Sequence, residues 1–394
     1  MSTSLDGRIN RRKFIEAATI CAGCAVLPLG FSYERADFFG LINTALAENK
    51  KKEALTSSKL HEALFYKKLQ NNRIECQLCP RNCTVTDKER GHCEVRENRD
   101  GIYYTLVYGN PCTTNIDPIE KKPFFHYLPG STAFSLATAG CNIDCKFCQN
   151  WQISQARPEA VKSMKLSPSE IADLAIGYNC QSIAYTYSEP TVFYEYVRDC
   201  AIEGQKRGLN SAVISNGFIQ AEPLNELLPH LKAMKVDLKS FSQKYYSDIC
   251  NADLQPVLDT IKLLKKSGLW LEIVYLMLPT LNDSPQEIQS LSKWILNEIG
   301  PDVPIHFTRF HPEYLLTNLP PTPVESLECA YEIAKKNGIN FPYVGNVYGH
   351  RYENTYCPKC QAEIIVRSGF KIQKLAITEG RCELCGRNIP GVWS

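Results

Sequence analysis

The chain has 394 residues, 44% of them hydrophobic, enough for a domain of roughly 200–250 residues plus smaller modules. That composition excludes global disorder, and a net charge of +2 argues against a broad nucleic-acid footprint or a polybasic membrane patch. Cysteine is the outlying count, 18 in all, and its clustering points to metal binding more than to a disulfide framework.

At the amino end, Asn10-Arg11-Arg12-Lys13-Phe14-Ile15 precedes an apolar run from Ala17 to Gly30. Paired arginines, a Phe and a weakly hydrophobic segment resemble a twin-arginine export signal. The run is too short to cross a membrane, which takes about 20 apolar residues. Ala45-Leu46-Ala47 offers a cleavage site before Glu48, so a leader is expected over residues 1–47.

A Cys-rich module is expected over residues 48–130. It opens on a charged stretch of helical period, Lys50 to Gln70, and carries Cys76, Cys79, Cys83 and Cys93. Four soft ligands close either a zinc site or a second iron–sulfur cluster, and the spacing fits both. His92 adjoins the fourth cysteine as a competing ligand, and Cys112 is a spare candidate. Cys180, Cys200, Cys250 and Cys329 stand alone and read as small buried hydrophobes.

The stretch Cys141-Asn142-Ile143-Asp144-Cys145-Lys146-Phe147-Cys148 places three thiols in a C-x3-C-x2-C pattern. Three thiolates can hold three corners of a cubane iron–sulfur cluster and leave the fourth iron without a protein ligand. That vacancy suits a bound substrate, and S-adenosylmethionine (SAM), cleaved reductively, fits the chemistry. Zinc is the alternative, but it usually takes a fourth ligand from the protein.

From Thr132 onward the sequence alternates strand and helix patterns. Strands are predicted at Ala133–Thr138, Ser182–Thr186, Ser211–Ser215, Met234–Leu238, Leu271–Leu276 and Ile305–Phe310. Helices are predicted at Pro168–Tyr178, Thr191–Arg207, Glu222–Leu231, Leu254–Ser267 and Pro285–Glu298, the first capped by Ser167 with Pro168 at its first position. The class is therefore α/β, with a parallel sheet over residues 131–345 that suits a partial (β/α)6 barrel; a doubly wound open sheet is the alternative. Polar residues fall at successive strand exits: Glu189, Asn216, Asp237 with Lys239, and the group His306, Arg309 and His311. One of those last three is expected to face the substrate, at the strand ends where such folds gather their chemistry.

Each residue also has a plainer reading. Glu189 before Pro190 suits a helix start, Asn216-Gly217 suits a turn, and Asp237 with Lys239 suits a structural ion pair. At the carboxyl end, over 346–394, Cys357-x2-Cys360 and Cys382-x2-Cys385 form paired knuckles. They read as a zinc-ribbon or rubredoxin-like site, with zinc preferred and mononuclear iron next. Phosphate-loop, nucleophile-elbow and zinc-helix motifs are absent from the sequence.

The cysteine loop with Phe147 before its last thiol, together with Tyr-Thr-Tyr-Ser-Glu-Pro-Thr, Ser-Asn-Gly, Asp-Leu-Lys, His-Phe-Thr-Arg-Phe-His-Pro and both outer cysteine sets, resembles the AmmeMemoRadiSam-system radical SAM enzymes. These are relatives of pyruvate formate-lyase activating enzyme. The resemblance implies a [4Fe–4S] cluster on Cys141, Cys145 and Cys148, and reductive cleavage of SAM to a 5′-deoxyadenosyl radical that abstracts hydrogen from a substrate. It implies that Glu189 meets the SAM ammonium group, that Asn216 meets the ribose, and that Phe147, Asp237 and Lys239 line the site. The family's Gly-Gly-Glu-Pro is here Tyr187-Ser188-Glu189-Pro190, so both glycines are replaced. Expected partners are SAM, a low-potential electron donor, a protein glycyl substrate, and Memo-like and AMMECR-type proteins. A non-catalytic iron–sulfur electron-transfer protein is the rival reading. The leader points to export or membrane association of a bacterial or archaeal protein, whereas a need for SAM favours the cytoplasm.

Overall fold

The computed structural model describes residues 60–394. The leader expected over 1–47, and residues 50–59 of the stretch read as helical, lie outside the described residues. Apolar runs separated by helix-period segments become the strands of one sheet. In chain order these are β1 (Thr113–Pro118), β2 (Thr132–Ala137), β3 (Ser182–Tyr185), β4 (Asn210–Ser215), β5 (Ala233–Asp237), β6 (Trp270–Met277), β7 (Ile305–Arg309) and β8 (Pro342–Gly345). Their spatial order is strictly sequential from β1 to β8. All neighbours from β2 onward pair in parallel, while β1 pairs antiparallel to β2. A doubly wound sheet reverses its strand order at a switch point, and this one has no reversal.

Each parallel step is bridged by a helix: α1 (Pro168–Gly177), α2 (Tyr194–Gln205), α3 (Ala221–Leu227), α4 (Leu254–Ser267), α5 (Pro285–Glu298) and α6 (Val324–Asn337). α6 adds to the helices read from the sequence. At α1, Ser167 Oγ accepts the Glu170 N–H while the Glu170 carboxylate accepts the Ser167 N–H at 2.7 Å. That reciprocal cap contributes about 1 kcal/mol and fixes where the helix begins.

Strand side chains alternate between two environments. Phe134, Leu136, Ile183, Tyr185, Val236 and Ile273 join the principal core. Ala133, Ala184, Ala212 and Ala233 lie in a second cluster with Ile119, Phe124 and Tyr127, where small side chains let the 119–128 segment approach the sheet. The parallel strands all end on one edge, so their carboxyl-terminal loops meet there.

The amino-terminal segment departs from its expected helix. His61–Glu62 and Tyr66–Lys68 are short strands in separate three-stranded sheets. Tyr66 pairs opposite Cys76, so cross-strand pairing overrides the local helical period. The carboxyl end forms a three-stranded antiparallel sheet and a two-stranded ribbon around Cys357 and Cys382. Among the described residues, no helix is long and apolar enough to cross a membrane.

Candidate active site

A cavity of about 290 Å³ opens at the carboxyl-terminal edge of the sheet. Cys141, Cys145 and Cys148 line it, on the loop that leaves β2. Phe147, Glu189, Asn216, Asp237 and Lys239 line the same cavity, so the chain brings these candidates together. No fourth cysteine and no histidine lines it among the described residues.

The loop is pinned through its backbone. Asp144 N–H and Lys146 N–H, flanking Cys145, donate to the carbonyls of Cys250 and Ile249 at 2.9 and 3.0 Å. Those carbonyls belong to a π-helical turn, Tyr246–Cys250, and such turns often occur at functional sites. The Cys250 thiol itself lies within hydrogen-bond reach of Cys145 Sγ, so its solitary position in the sequence conceals a contact. Gly140 enters the loop at φ +98°, and a Cβ there would stand 2.6 Å from Val95 Cγ1. Only glycine fits both constraints. Burial pushes the Cys141 thiol pKa well up, and the bond to Cys250 followed by burial does the same at Cys145. Thiolates in this environment require a bound cation, which is what a cluster iron provides.

Glu189 is 3% exposed and starts the 3-10 turn Pro190–Phe193. Its Oε1 accepts from Thr191 N–H, Thr191 Oγ1 and Ser215 Oγ, whereas Oε2 accepts from Asn216 N–H at 2.8 Å. Burial raises its pKa against the pull of those bonds. Oε1 takes three donors and Oε2 one, which leaves Oε2 the freer acceptor on a residue that lines the cavity. The Asn216 amide donates to Asn142 Oδ1 at 2.9 Å and reaches Cys141 Sγ at 3.8 Å, while its Oδ1 accepts the Phe218 N–H. It therefore ties the cysteine loop to the end of β4.

Asp237 pairs with Lys239 at 3.2 Å and also contacts Lys235, a buried lysine two residues earlier on β5 that the sequence reading passed over. Burial lowers the Lys235 pKa, and the two lysines hold the Asp237 carboxyl below its usual range despite its own burial. A second group missed from the sequence lines the same cavity. Lys121 and Lys122 contact Asp117 at 2.8 and 2.5 Å, and Lys122 Nζ stands 4.0 Å over the Tyr187 ring. Burial outweighs Asp117 and draws the Lys122 pKa down to about 8. Tyr187 donates to Asp117 and holds φ +67°, the left-handed conformation that a glycine adopts freely. The backbone shape implied by the missing glycine is thus kept, at a cost of about 1 kcal/mol.

The expectation for His306, Arg309 and His311 needs correction, because none of the three lines the cavity. His306 is buried against Glu272 at 2.7 Å, and Arg309 Nε donates to the Thr322 carbonyl. From β7 it is Thr308 that faces the site. Alternation along the strand sends His306 and Thr308 to the same face, but His306 lies lower, beside the Glu272 carboxylate.

The four carboxyl-terminal cysteines form a separate centre. Cys357 and Cys385 sulfurs are 3.6 Å apart, Cys360 and Cys382 sulfurs 3.8 Å, and all four lie within 4.8 Å of one another. A tetrahedral zinc with ~2.3 Å bonds sets its sulfurs about 3.8 Å apart, so one ion fits.

A sheet of parallel strands with three thiols at its carboxyl edge is the arrangement of a radical SAM domain, and the Radical SAM superfamily model matches residues 135–292. The chain belongs to the family of uncharacterized protein MJ0808 of Methanocaldococcus jannaschii. It is 45% identical to that protein over 332 residues, 84% of this chain and 99% of the relative. A second uncharacterized protein of that organism, MJ0674, is 24% identical over 68% of this chain and 76% of its own length. Among solved structures, a domain of pyruvate-formate lyase-activating enzyme from Bacteroides vulgatus is 15% identical, with a TM-score of 0.38, covering 42% of this chain and 99% of that one. A radical SAM methyltransferase from Sphaerobacter thermophilus is 14% identical, with a TM-score of 0.43, covering 55% and 67%.

Proposed function

We propose that the protein binds a [4Fe–4S] cluster through Cys141, Cys145 and Cys148 and uses it to cleave SAM reductively. The observation that carries this reading is the incomplete ligand set: three thiols share one cavity that offers no fourth soft donor among its described lining residues. When bound, cluster and SAM together supply methionine and a 5′-deoxyadenosyl radical for hydrogen abstraction. The chain's own groups then have defined tasks. Glu189 Oε2 accepts from the SAM ammonium group, and Asn216 orders the loop that carries Cys141. Asp237 and Lys239 border the adenosyl end, and Phe147 packs behind the thiols.

Sequential strand order with six crossover helices supports a partial (β/α)6 barrel around this site. The substrate is read by analogy with the activases as a protein glycine, and partnership with Memo-like and AMMECR-type proteins rests on the sequence resemblance alone. A structural zinc is assigned to the carboxyl-terminal cysteines.

Low-temperature EPR tests the open site against the electron-transfer alternative. SAM should perturb the reduced spectrum of a three-cysteine cluster, whereas a fully ligated cluster gives the same spectrum with and without it. An unperturbed spectrum from iron-loaded protein rejects the reading.

A further inference from the structure

Cys76, Cys79, Cys83 and Cys93 come from two separate turns of the amino-terminal module and converge on one small cavity of about 20 Å³. Four thiols around a single zinc would stand about 3.8 Å apart. The carboxyl-terminal set has that spacing. Among the described residues it is the one group of such ligand atoms lying within 4.8 Å of one another, so the amino-terminal thiols are more widely spread.

Two further groups address the same space. Arg96, 1% exposed, lines the cavity while paired to Glu195 at 2.5 Å. The Tyr103 hydroxyl, on a side chain 0% exposed, has no hydrogen-bond partner among the described residues and also lines it. Gly91 makes room for that hydroxyl, since a Cβ there would stand 2.5 Å from it. A buried hydroxyl without a partner is costly unless something in the cavity accepts its proton. The sulfur of a cluster is such an acceptor.

The cavity abuts the active-site loop. Consecutive residues face the two sites, Asn142 lining this cavity and Cys141 the larger one. Arg81 Nε donates to the Asn142 carbonyl at 2.5 Å, and a Cβ on Gly140 would come within 2.9 Å of the Cys93 carbonyl oxygen. Thus the two cysteine sets lie on adjoining segments, with the Arg81 side chain of one bonded to the loop of the other.

We propose that Cys76, Cys79, Cys83 and Cys93 hold a second [4Fe–4S] cluster, fully ligated by the chain, that relays single electrons to the cluster on Cys141, Cys145 and Cys148. The external reductant is a low-potential one-electron donor protein of the ferredoxin class. It reduces the second cluster by one electron, and that electron passes to the first, leaving the second oxidised again. The relay rests on the open-site reading above; the ligation of a second cluster does not.

The experiment uses the full chain with Cys141, Cys145 and Cys148 all changed to alanine, reconstituted anaerobically with ferrous iron and sulfide. It should retain about four irons and four sulfides per chain, and SAM should leave its reduced EPR signal unchanged. A second zinc per chain beyond that of the carboxyl-terminal cysteines, with neither iron nor sulfide retained, would overturn the proposal whatever becomes of SAM cleavage. In that background Tyr103→Phe should fold normally and lower the midpoint potential of the remaining cluster; an unchanged potential would mean that the hydroxyl donates to no cluster sulfur and would count against a cluster there. For the relay, Cys79→Ser/Cys83→Ser in the otherwise unaltered chain should slow ferredoxin-driven SAM cleavage on the order of tenfold. Excess dithionite should restore the rate. Equal rates with the ferredoxin donor in variant and parent would overturn the relay.

Discussion

Replacing Asp237 with asparagine tests whether the β5 charges are a coupled unit. Asp237 is the shared counter-ion of Lys235 and Lys239, and Lys235 is 4% exposed. Removing one partner of a buried pair strands the other charge, at a cost of about 3–5 kcal/mol. Lys235 then has every reason to shed its proton. Burial already holds its folded pKa below the ordinary 10.5, so the unfolded chain binds more protons and this group's contribution to stability rises with pH. Loss of Asp237 lowers the folded value further and widens that window. Anaerobic urea denaturation of metal-loaded protein, followed by intrinsic fluorescence, should therefore show a large deficit for Asp237→Asn at pH 7 that shrinks towards pH 10. The double variant Lys235→Met/Asp237→Asn should recover the share of the deficit carried by Lys235 and leave that of Lys239, whose counter-ion is also gone. A deficit below about 1 kcal/mol, the same at both pH values, would refute the reasoning.

Three other outcomes follow from the site. Gly140→Ala should block cluster loading at the three-thiol loop, since its Cβ would overlap Val95 and its φ of +98° disfavours a side chain; iron analysis of the reconstituted protein checks this. Cys250→Ala should lower the midpoint potential of that cluster, on the order of tens of mV, by removing a hydrogen bond to a ligand sulfur; an EPR-monitored redox titration reads it directly. SAM affinity should fall as pH drops through a value above the ordinary 4.5, because burial raises the Glu189 pKa and only the carboxylate attracts an ammonium group. Glu189→Gln should flatten that dependence, as measured by equilibrium binding.

Much of the architecture was legible because the strands and helices carry their own signals. Ser167-Pro168 marks the start of α1 and Pro285 that of α5, both where the structure begins them. The strand-exit residues were legible for the same reason, since a parallel sheet sends every exit to one edge. What escaped depends on distance in sequence. β1 contains Pro118 and reads poorly as a strand, yet it sets Asp117 beside Lys122 and Tyr187. Lys235 lies inside the predicted strand Met234–Leu238 and drew no reading of its own, although its partner Asp237 is only two residues on. Cys250 and Cys145 are 105 residues apart, and nothing local to Cys250 announces the contact. His306 failed in the opposite sense: it has the residue type expected of a catalytic group, but Glu272 on the adjacent strand β6 claims it.

Product analysis of the iron-loaded, dithionite-reduced protein given SAM is the most direct test. The open cluster on Cys141, Cys145 and Cys148 predicts 5′-deoxyadenosine and methionine in equal amounts, and none from Cys145→Ala. Intact SAM after incubation with protein of verified iron and sulfide content would contradict it.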